Sequence, residues 1–355
     1  MSQFHSLTVT DVKKTTRDAV ILTLQPEDPK AFSFVPGQYL TFRREFDGEE
    51  LRRSYSICAG INDGVLKVGI KRVDGGVFST WANLELEIGS TLEAMPPMGQ
   101  FYASSDEPSP SYLMFAGGSG ITPILSIIKS GLQQNTRARY TLVYANRSAS
   151  TVMFREEIED LKNRFLNRFS IIHILKEHVD EIDLFGGRLD TAKCLQLFDS
   201  WISIDTVQMT FICGPEGMMI GIRDALIERG ISKSQIRMEL FSGSQPGRSK
   251  KPAQRLDLYE SGIAGQVTLG GDTRSLTIPA NTTLLEAAIN NDLDPPYACK
   301  AGVCSTCKAK ILNGEVEMLA NHALEDHEVE DGYVLTCQSV PLSDSVVWDY
   351  DQSGH

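Results

Sequence analysis

At 355 residues the chain exceeds what one hydrophobic core serves, and 41% hydrophobic with 23% charged residues excludes disordered and fibrous classes, so two or three globular domains are expected. The formal charge of −12 is unevenly placed: from Ile263 to His355 there are 4 Lys/Arg against 14 Asp/Glu, and in the remainder 30 against 32. So acidic a last quarter makes a poor nucleic-acid binder; it suits either steering onto a basic protein patch or plain solubility.

The start, MSQFHSLTVTDVKK, lacks a basic segment followed by a long apolar run, and the most apolar window, Tyr112 to Ile128, is interrupted by Gly117, Gly118, Gly120 and Pro123. A cytoplasmic protein with no membrane partner is expected. The first hundred residues read as short strands, LTVTDV, AVILTL, QYLTFRREF, VLKVGIK and TLEAM, set apart by turns at Pro36-Gly37, Asp47-Gly48, Asp63-Gly64 and Gly75-Gly76. That pattern predicts a small antiparallel β-barrel over 1–105, with one helix near Val77 to Leu84. The polar stretch SSDEPSPS from Ser104 marks its end.

Strands then alternate with amphipathic helices: YLMF, a helix after Gly120, RYTLVYA, FREEIEDLKNRF, FSIIHIL, a helix near Thr191 to Phe198, VQMTFIC, and a helix from Glu216 to Arg229. Alternation of this kind predicts a doubly wound parallel α/β domain over 106–241. A Ser-, Gly-, Pro- and Lys/Arg-rich stretch beginning SGSQPGRSKKPAQR places a linker at 242–262. The last domain, 263–355, opens with a hairpin, QVTLGGD and SLTIP. It continues with a helix, TLLEAAINN, capped by Thr282 or Thr283, then a strand KAKIL and late strands around Val334 and Val346.

Seven cysteines, an odd number in a chain of this size, argue against a disulfide scaffold. Cys299, Cys304 and Cys307 stand as C-x4-C-x2-C, and Cys337 follows 30 positions later. This is the spacing of plant-type [2Fe–2S] ferredoxins. The small residues between the ligands let the backbone wrap closely and turn N–H groups toward sulfur. Zinc, a redox disulfide and a purely structural cluster are the competing readings; zinc sites usually pair two short-spaced couples, and here the fourth cysteine stands alone.

Upstream, Arg53-Ser54-Tyr55-Ser56 resembles the R-x-Y-S flavin motif of the ferredoxin-NADP reductase-like family, although four residues alone also fit an ordinary strand. The resemblance implies an arginine for the flavin pyrophosphate, a tyrosine packed on the ring and a hydroxyl near its reactive nitrogen. Gly75, Gly76 and Ser79 resemble the family's G-x-x-S segment, which binds the flavin pyrophosphate at a helix N-terminus. Gly118, Gly120, Thr122 and Pro123 belong to a loop resembling the family's G-x-G-x-x-P nicotinamide-nucleotide loop. Cys213-Gly214-Pro215 resembles its C-G-P segment beside the nicotinamide, and Glu239 with Phe241 its closing E-x-F at the flavin face. Alone, each has a bland structural reading as a turn, a buried thiol or a core aromatic. On the resemblance, Ser56, Cys213 and Glu239 are the catalytic candidates. Arg147, after the second strand of the sheet, favours NADPH, with NADH possible.

The resemblance covers essentially the whole chain and implies the domain order FAD barrel, NAD(P) domain, β-grasp [2Fe–2S] ferredoxin. That is the order of reductases of bacterial multicomponent oxygenases. It also implies that Cys299 and Cys304 bind one iron, Cys307 and Cys337 the other. A flavin accepts a hydride and releases electrons singly, so the parts describe a path from NADPH through FAD and the cluster to a partner. FHSLTV, FDGEELRRSYSIC, AGGSGITP and PYACKAGVCSTCK carry a finer likeness to the reductase subunits of phenylacetyl-CoA epoxidases. The implied partner is a separate di-iron oxygenase of a multicomponent monooxygenase in phenylacetate catabolism, and the chain itself contains no E-x-x-H set for a di-iron centre. A Rieske or steroid hydroxylase, a hybrid-cluster protein, or a role as redox sensor are the alternatives.

Overall fold

The computed structural model describes residues 4–102, 109–177, 183–241 and 262–353. Most of the polar stretch at 104–111 and all of the expected linker except Gly262 lie outside these residues. The chain forms two compact units, one of Met1–Phe4, Glu50–Ser54 and Ser244–His355, the other of His5–Glu49 and Tyr55–Gly243.

The N-terminal sheet contains β1 (His5–Thr16), β2 (Ala19–Pro26), β3 (Tyr39–Phe46), β4 (Glu49–Ser56), β5 (Leu66–Lys71) and, after helix α1 (Val77–Leu84), β6 (Thr91–Ala94). Their order is β4-β3-β6-β1-β2-β5. Alternate residues point inward, so Leu7, Val9, Val20, Leu22, Leu24, Val68 and Ile70 form one core with Phe78, Trp81 and Ala82 of α1. Register shifts after Val9 and Lys14 bend the long β1. The sheet closes where Ile57, just past β4, bridges to Val68, and the Cys58 N–H donates to the Lys67 carbonyl at 2.9 Å.

The second domain is built on β7 (Ser111–Gly117), α2 (Ile121–Gln134), β8 (Arg139–Asn146), α3 (Arg155–Arg164), β9 (Phe169–Leu175), α4 (Thr191–Ser200), β10 (Met209–Gly214), α5 (Glu216–Glu228) and β11 (Ile236–Leu240). All pairings are parallel, in the order β11-β10-β7-β8-β9. Central β7 is buried from Tyr112 onward because helices cover both faces: Tyr112, Met114 and Ala116 pack with α2 and α3, whereas Leu113 and Phe115 pack with α4 and α5. Strand β11 was not expected. Its residues alternate between polar and apolar at a sheet edge and are mostly half-buried, so the stretch lacks a buried strand's apolar run.

The C-terminal unit carries β12 (Ile263–Leu269), β13 (Asp272–Ile278), α6 (Leu284–Asn290), β14 (Lys308–Asn313), β15 (Val316–Met318), α7 (Asp326–Glu330), β16 (Tyr333–Leu335), β17 (Ser339–Pro341) and β18 (Ser345–Asp349). The sheet order is β13-β12-β18-β14-β16, with β12 and β18 parallel, the β-grasp arrangement. Helix α6 packs Leu284, Ala287 and Ala288 on Val267, Val346 and Trp348. Of the two threonines, Thr283 is the cap: its hydroxyl accepts the Glu286 N–H at 3.2 Å and Glu286 returns the bond. The short pair β15–β17 and helix α7, three to five residues each, are too brief for periodicity to announce them.

Candidate functional site

In the parallel sheet the strand order reverses at β7, which has β8 on one side and β10 on the other, and ligands of such sheets bind outside the strand ends at that point. The loop Gly117–Gly120 leaves β7 there and enters α2 through a single tight turn. Its glycines serve two purposes. Gly118 has φ +53°, and a Cβ on it would meet only the Lys71 ammonium, at 3.4 Å. Gly120 is required by packing: a Cβ would lie 2.2 Å from the Cys213 carbonyl oxygen, while one on Gly117 would lie 2.7 Å from the Pro215 ring and one on Gly214 3.0 Å from Gly117. The glycine loop and the Cys213-Gly214-Pro215 segment therefore touch backbone to backbone. Thr122 and Pro123 are buried behind the loop, Thr122 donating to the Ser119 carbonyl at 3.0 Å. Tyr144 braces the loop from β8 by donating to the Gly118 carbonyl at 2.9 Å.

Parallel pairing of β10 with β11 sets Cys213 beside Glu239. From the barrel, the Ser56 hydroxyl reaches the Glu239 carboxylate at a long 3.5 Å. Loss of hydration raises the Glu239 carboxyl to about 8, with the Ser56 hydrogen bond pulling the other way. Cys213 is fully buried, and burial followed by the Glu239 charge pushes its thiol well up. Ser56, Cys213 and Glu239 thus form one cluster that is uncharged near neutral pH. Phe241 follows β11 and packs on the edge of the core shared by β7 and α2.

On the barrel, Tyr55 lies against Phe78 and Phe42, with ring centroids 5.7 and 6.2 Å away. Arg53 is exposed on β4, and its guanidinium donates to the Arg52 carbonyl at 2.8 Å. Gly75, φ +73°, and Gly76 lead into α1, and as a capping residue Gly76 has no side chain to occupy the first-turn N–H groups. A cavity of about 400 Å³ opens there, lined by Gly75, Gly76, Val77, Thr80, Trp81 and Arg44 among others. Ser79 turns away from it: its hydroxyl accepts the Val73 N–H at 3.1 Å and donates to the Gly76 carbonyl at 3.2 Å, so it shapes the turn. The Arg44 guanidinium stacks 3.9 Å over Trp81.

Arg147 follows β8 with its side chain 72% exposed, 3.7 Å from Glu177. Burial lowers the pKa of the Lys71 ammonium, Asp18 opposing and nearby Arg147 reinforcing the shift. Lys71 and Arg44 were not singled out by the sequence, since both read as ordinary polar positions on barrel strands. Their proximity to glycine loops more than thirty residues away is a product of the fold.

In the C-terminal unit the four clustered cysteines fall into two pairs: Cys299 with Cys304, and Cys307 with Cys337. No disulfide joins any of the seven cysteines. The Cys304 thiol, then the N–H groups of Ala301, Val303 and Cys304, favour the thiolate of Cys299 and lower its pKa against the effect of burial. The Ala301 N–H donates to its sulfur at 3.3 Å. Left-handed Lys300, Gly302 and Ser305 (φ +52°, +74° and +47°) wrap the loop, and a Cβ at Gly302 would press on the Ala320 carbonyl at 2.8 Å. Behind it, Tyr350 donates to Thr336 at 3.0 Å and Thr336 to the Cys307 carbonyl at 2.9 Å. Among the described residues no three His, Cys, Asp or Glu side chains are placed to hold a single ion. Two thiol pairs with backbone donors aimed at sulfur fit a two-iron cluster, which takes two thiolates per iron.

The chain matches three family descriptions: "Oxidoreductase FAD-binding domain" over residues 6–102, "Oxidoreductase NAD-binding domain" over 114–224 and "2Fe-2S iron-sulfur cluster binding domain" over 267–342. It is 40% identical to one subunit of the 1,2-phenylacetyl-CoA epoxidase of Escherichia coli (strain K12), covering 100% of this chain and 99% of that protein. It is 31% identical to the ferredoxin reductase component of 3-ketosteroid-9-alpha-monooxygenase from Rhodococcus rhodochrous, over 95% of this chain and 94% of that one. Among solved structures, phthalate dioxygenase reductase covers 98% of both chains with a TM-score of 0.58 at 23% identity, a likeness of fold. Electron carriage by FAD and a [2Fe–2S] cluster, fed by a pyridine nucleotide, follows from these three domains on one chain. The chain belongs to the ferredoxin-NADP reductase-like family of oxygenase reductases that carry a C-terminal plant-type [2Fe–2S] domain.

Proposed function

We propose that this chain is the cytoplasmic reductase of a phenylacetyl-CoA epoxidase system, drawing on NADPH and delivering electrons to a separate di-iron oxygenase. The proposed domains are a barrel at 1–105, a nucleotide domain at 106–241, a linker at 242–262 and a ferredoxin at 263–355. The observation that carries the electron path is the meeting of Ser56, from the barrel motif, with Glu239 and Cys213 at the reversal point of the nucleotide sheet. When bound, the flavin exchanges a hydride's electron pair for single electrons and the cluster carries them one at a time. Arg53, Tyr55 and the α1 N-terminus with Gly75 and Gly76 would hold the flavin, with Arg44 a further cation at that cavity. Gly118, Lys71 and Gly214 would receive the nucleotide phosphates and nicotinamide, and Arg147 the 2′-phosphate. Cys299, Cys304, Cys307 and Cys337 would hold the cluster.

The residues at the crossing point keep it neutral. With its carboxyl raised to about 8, Glu239 holds a proton at pH 7 and can donate a hydrogen bond, while Cys213 stays a thiol. A site without a fixed negative charge does not repel the electrons arriving there. The full-length identity to one component of an epoxidase supports the partner; the 31% likeness to a ketosteroid monooxygenase reductase keeps a steroid hydroxylase as the second reading.

Reconstitution tests the assignment. The purified chain with NADPH should support O₂- and phenylacetyl-CoA-dependent turnover by the oxygenase components of an epoxidase, and not by a Rieske or steroid hydroxylase. Raising salt should slow that turnover, because the last 93 residues carry 14 Asp/Glu against 4 Lys/Arg. Turnover with the steroid oxygenase alone would exchange the first partner for the second.

A further inference from the structure

Helix α2 starts at the nucleotide loop and, along one face, grips the barrel. Thr122, Ser126, Lys129 and Ser130 recur at helical spacing, and each meets the barrel or the segment that follows β4. The Thr122 methyl sits over Gly69 of β5, where a Cβ would come within 2.8 Å. Ser126 donates to the Ala59 carbonyl at 2.6 Å, and the Ser130 hydroxyl accepts the Ile61 N–H at 3.0 Å. The Lys129 ammonium bonds Asp63 and also Glu157 of α3. Its side chain is 8% exposed, against 17% for Asp63 and 38% for Glu157. Asp63 is itself fixed by the Gly60 N–H at 2.9 Å, and Gly60 has little room: a Cβ would lie 3.0 Å from that of Lys129.

The gripped segment, residues 57–63, directly continues β4 after Ser56, and the gripping helix begins one residue after Gly120. Burial acts to lower the Lys129 pKa, but its bonds to Asp63 and Glu157 outweigh it and the net shift is upward, so the ammonium stays charged. Burying one ammonium against two partly exposed carboxylates is an inefficient source of stability, since its desolvation offsets much of the attraction. Geometry is what the arrangement supplies: one ammonium reaches both carboxylates only when α2, α3 and segment 57–63 hold a single relative placement.

We propose that Lys129, held by Asp63 and Glu157, is a positioning residue for hydride transfer, locking the Gly117–Gly120 loop to the strand that carries Ser56. The proposal rests on the assignment of these two segments to nucleotide and flavin. Because an error of about 1 Å between reacting groups can cost on the order of a hundredfold in rate, the lock acts on the chemical step more than on affinity.

The test is anaerobic stopped-flow reduction of the bound flavin by NADPH in the full-length holoprotein, comparing wild type with Lys129→Met, Lys129→Arg and Asp63→Asn. The limiting rate should fall about ten- to a hundredfold in Lys129→Met, with half-saturating NADPH changing less than about threefold. Lys129→Arg should recover most of the rate. Flavin content and reduction by dithionite, which needs no nucleotide site, should match wild type. Asp63→Asn keeps the Glu157 contact and should lose about three- to tenfold, serving as the readout if Lys129→Met does not fold. A wild-type limiting rate in Lys129→Met, or in Asp63→Asn where that variant stands in, overturns the lock, as does a loss confined to half-saturation or shared by dithionite. A wild-type protein whose flavin NADPH does not reduce would overturn the underlying assignment instead.

Discussion

Ser56 and Glu239 lie 183 positions apart in the chain, yet the hydroxyl of one meets the carboxylate of the other at 3.5 Å. Strand β4 of the barrel delivers the first, and edge strand β11 of the nucleotide sheet the second. On the function proposed above, they would mark where a flavin bound to the barrel faces a nicotinamide bound at the sheet's reversal point.

The raised Glu239 carboxyl gives a pH signature. From its ordinary 4.5 to about 8 the folded protein keeps a proton that the unfolded chain releases. Its contribution to stability is therefore full below 4.5 and is lost as pH rises through 8. Thermal denaturation should show Glu239→Gln gaining on wild type as pH climbs from 5 to 9. Flavin reduction by NADPH should decline above about pH 8 in wild type and lose that limb in Glu239→Gln; a limb that survives belongs to another group.

Gly120→Ala would place a methyl 2.2 Å from the Cys213 carbonyl, which is backbone and cannot yield easily. Overpacking of this kind costs about 1–3 kcal/mol. A lower Tm together with at least about a tenfold slower flavin reduction is expected, because the two loops must part. Gly75→Ala meets no protein atom but keeps φ +73°, so its cost in stability should be only about 1 kcal/mol.

Lys71 and Arg147 should separate by nucleotide. Lys71→Met should raise half-saturation for NADPH and NADH alike, since both carry the pyrophosphate that the Gly118 loop would receive. Arg147→Ala should raise it for NADPH alone, by about five- to tenfold, as expected for one exposed charge-assisted contact of about 1 kcal/mol. Equal effects of Arg147→Ala on both nucleotides would remove it from the 2′-phosphate.

Cys304→Ser should abolish the cluster's visible absorbance and most NADPH-driven cytochrome c reduction, while leaving flavin reduction by NADPH within about twofold of wild type, because the two sites are built from separate residues. Undiminished cytochrome c reduction would mean that electrons leave directly from the flavin.

Local pattern determined much of this protein. Turn pairs and β-branched runs fixed the barrel strands, apolar runs between amphipathic helices fixed the parallel sheet, and the spacing of Cys299, Cys304, Cys307 and Cys337 set apart a candidate ligand set, because each depends on residues close together in the chain or on ligand chemistry itself. Strand β11 escaped notice, as an edge strand needs no continuous apolar run. Only the tertiary structure decided which atoms meet. It put the Cys213 carbonyl where Gly120 must have no side chain, Lys71 beside Gly118, Ser79 into its own turn, and Lys129 between Asp63 and Glu157. Such contacts join segments whose separation along the chain carries no trace of their distance in space; packing and the hydration lost with it set them, and no single segment encodes either.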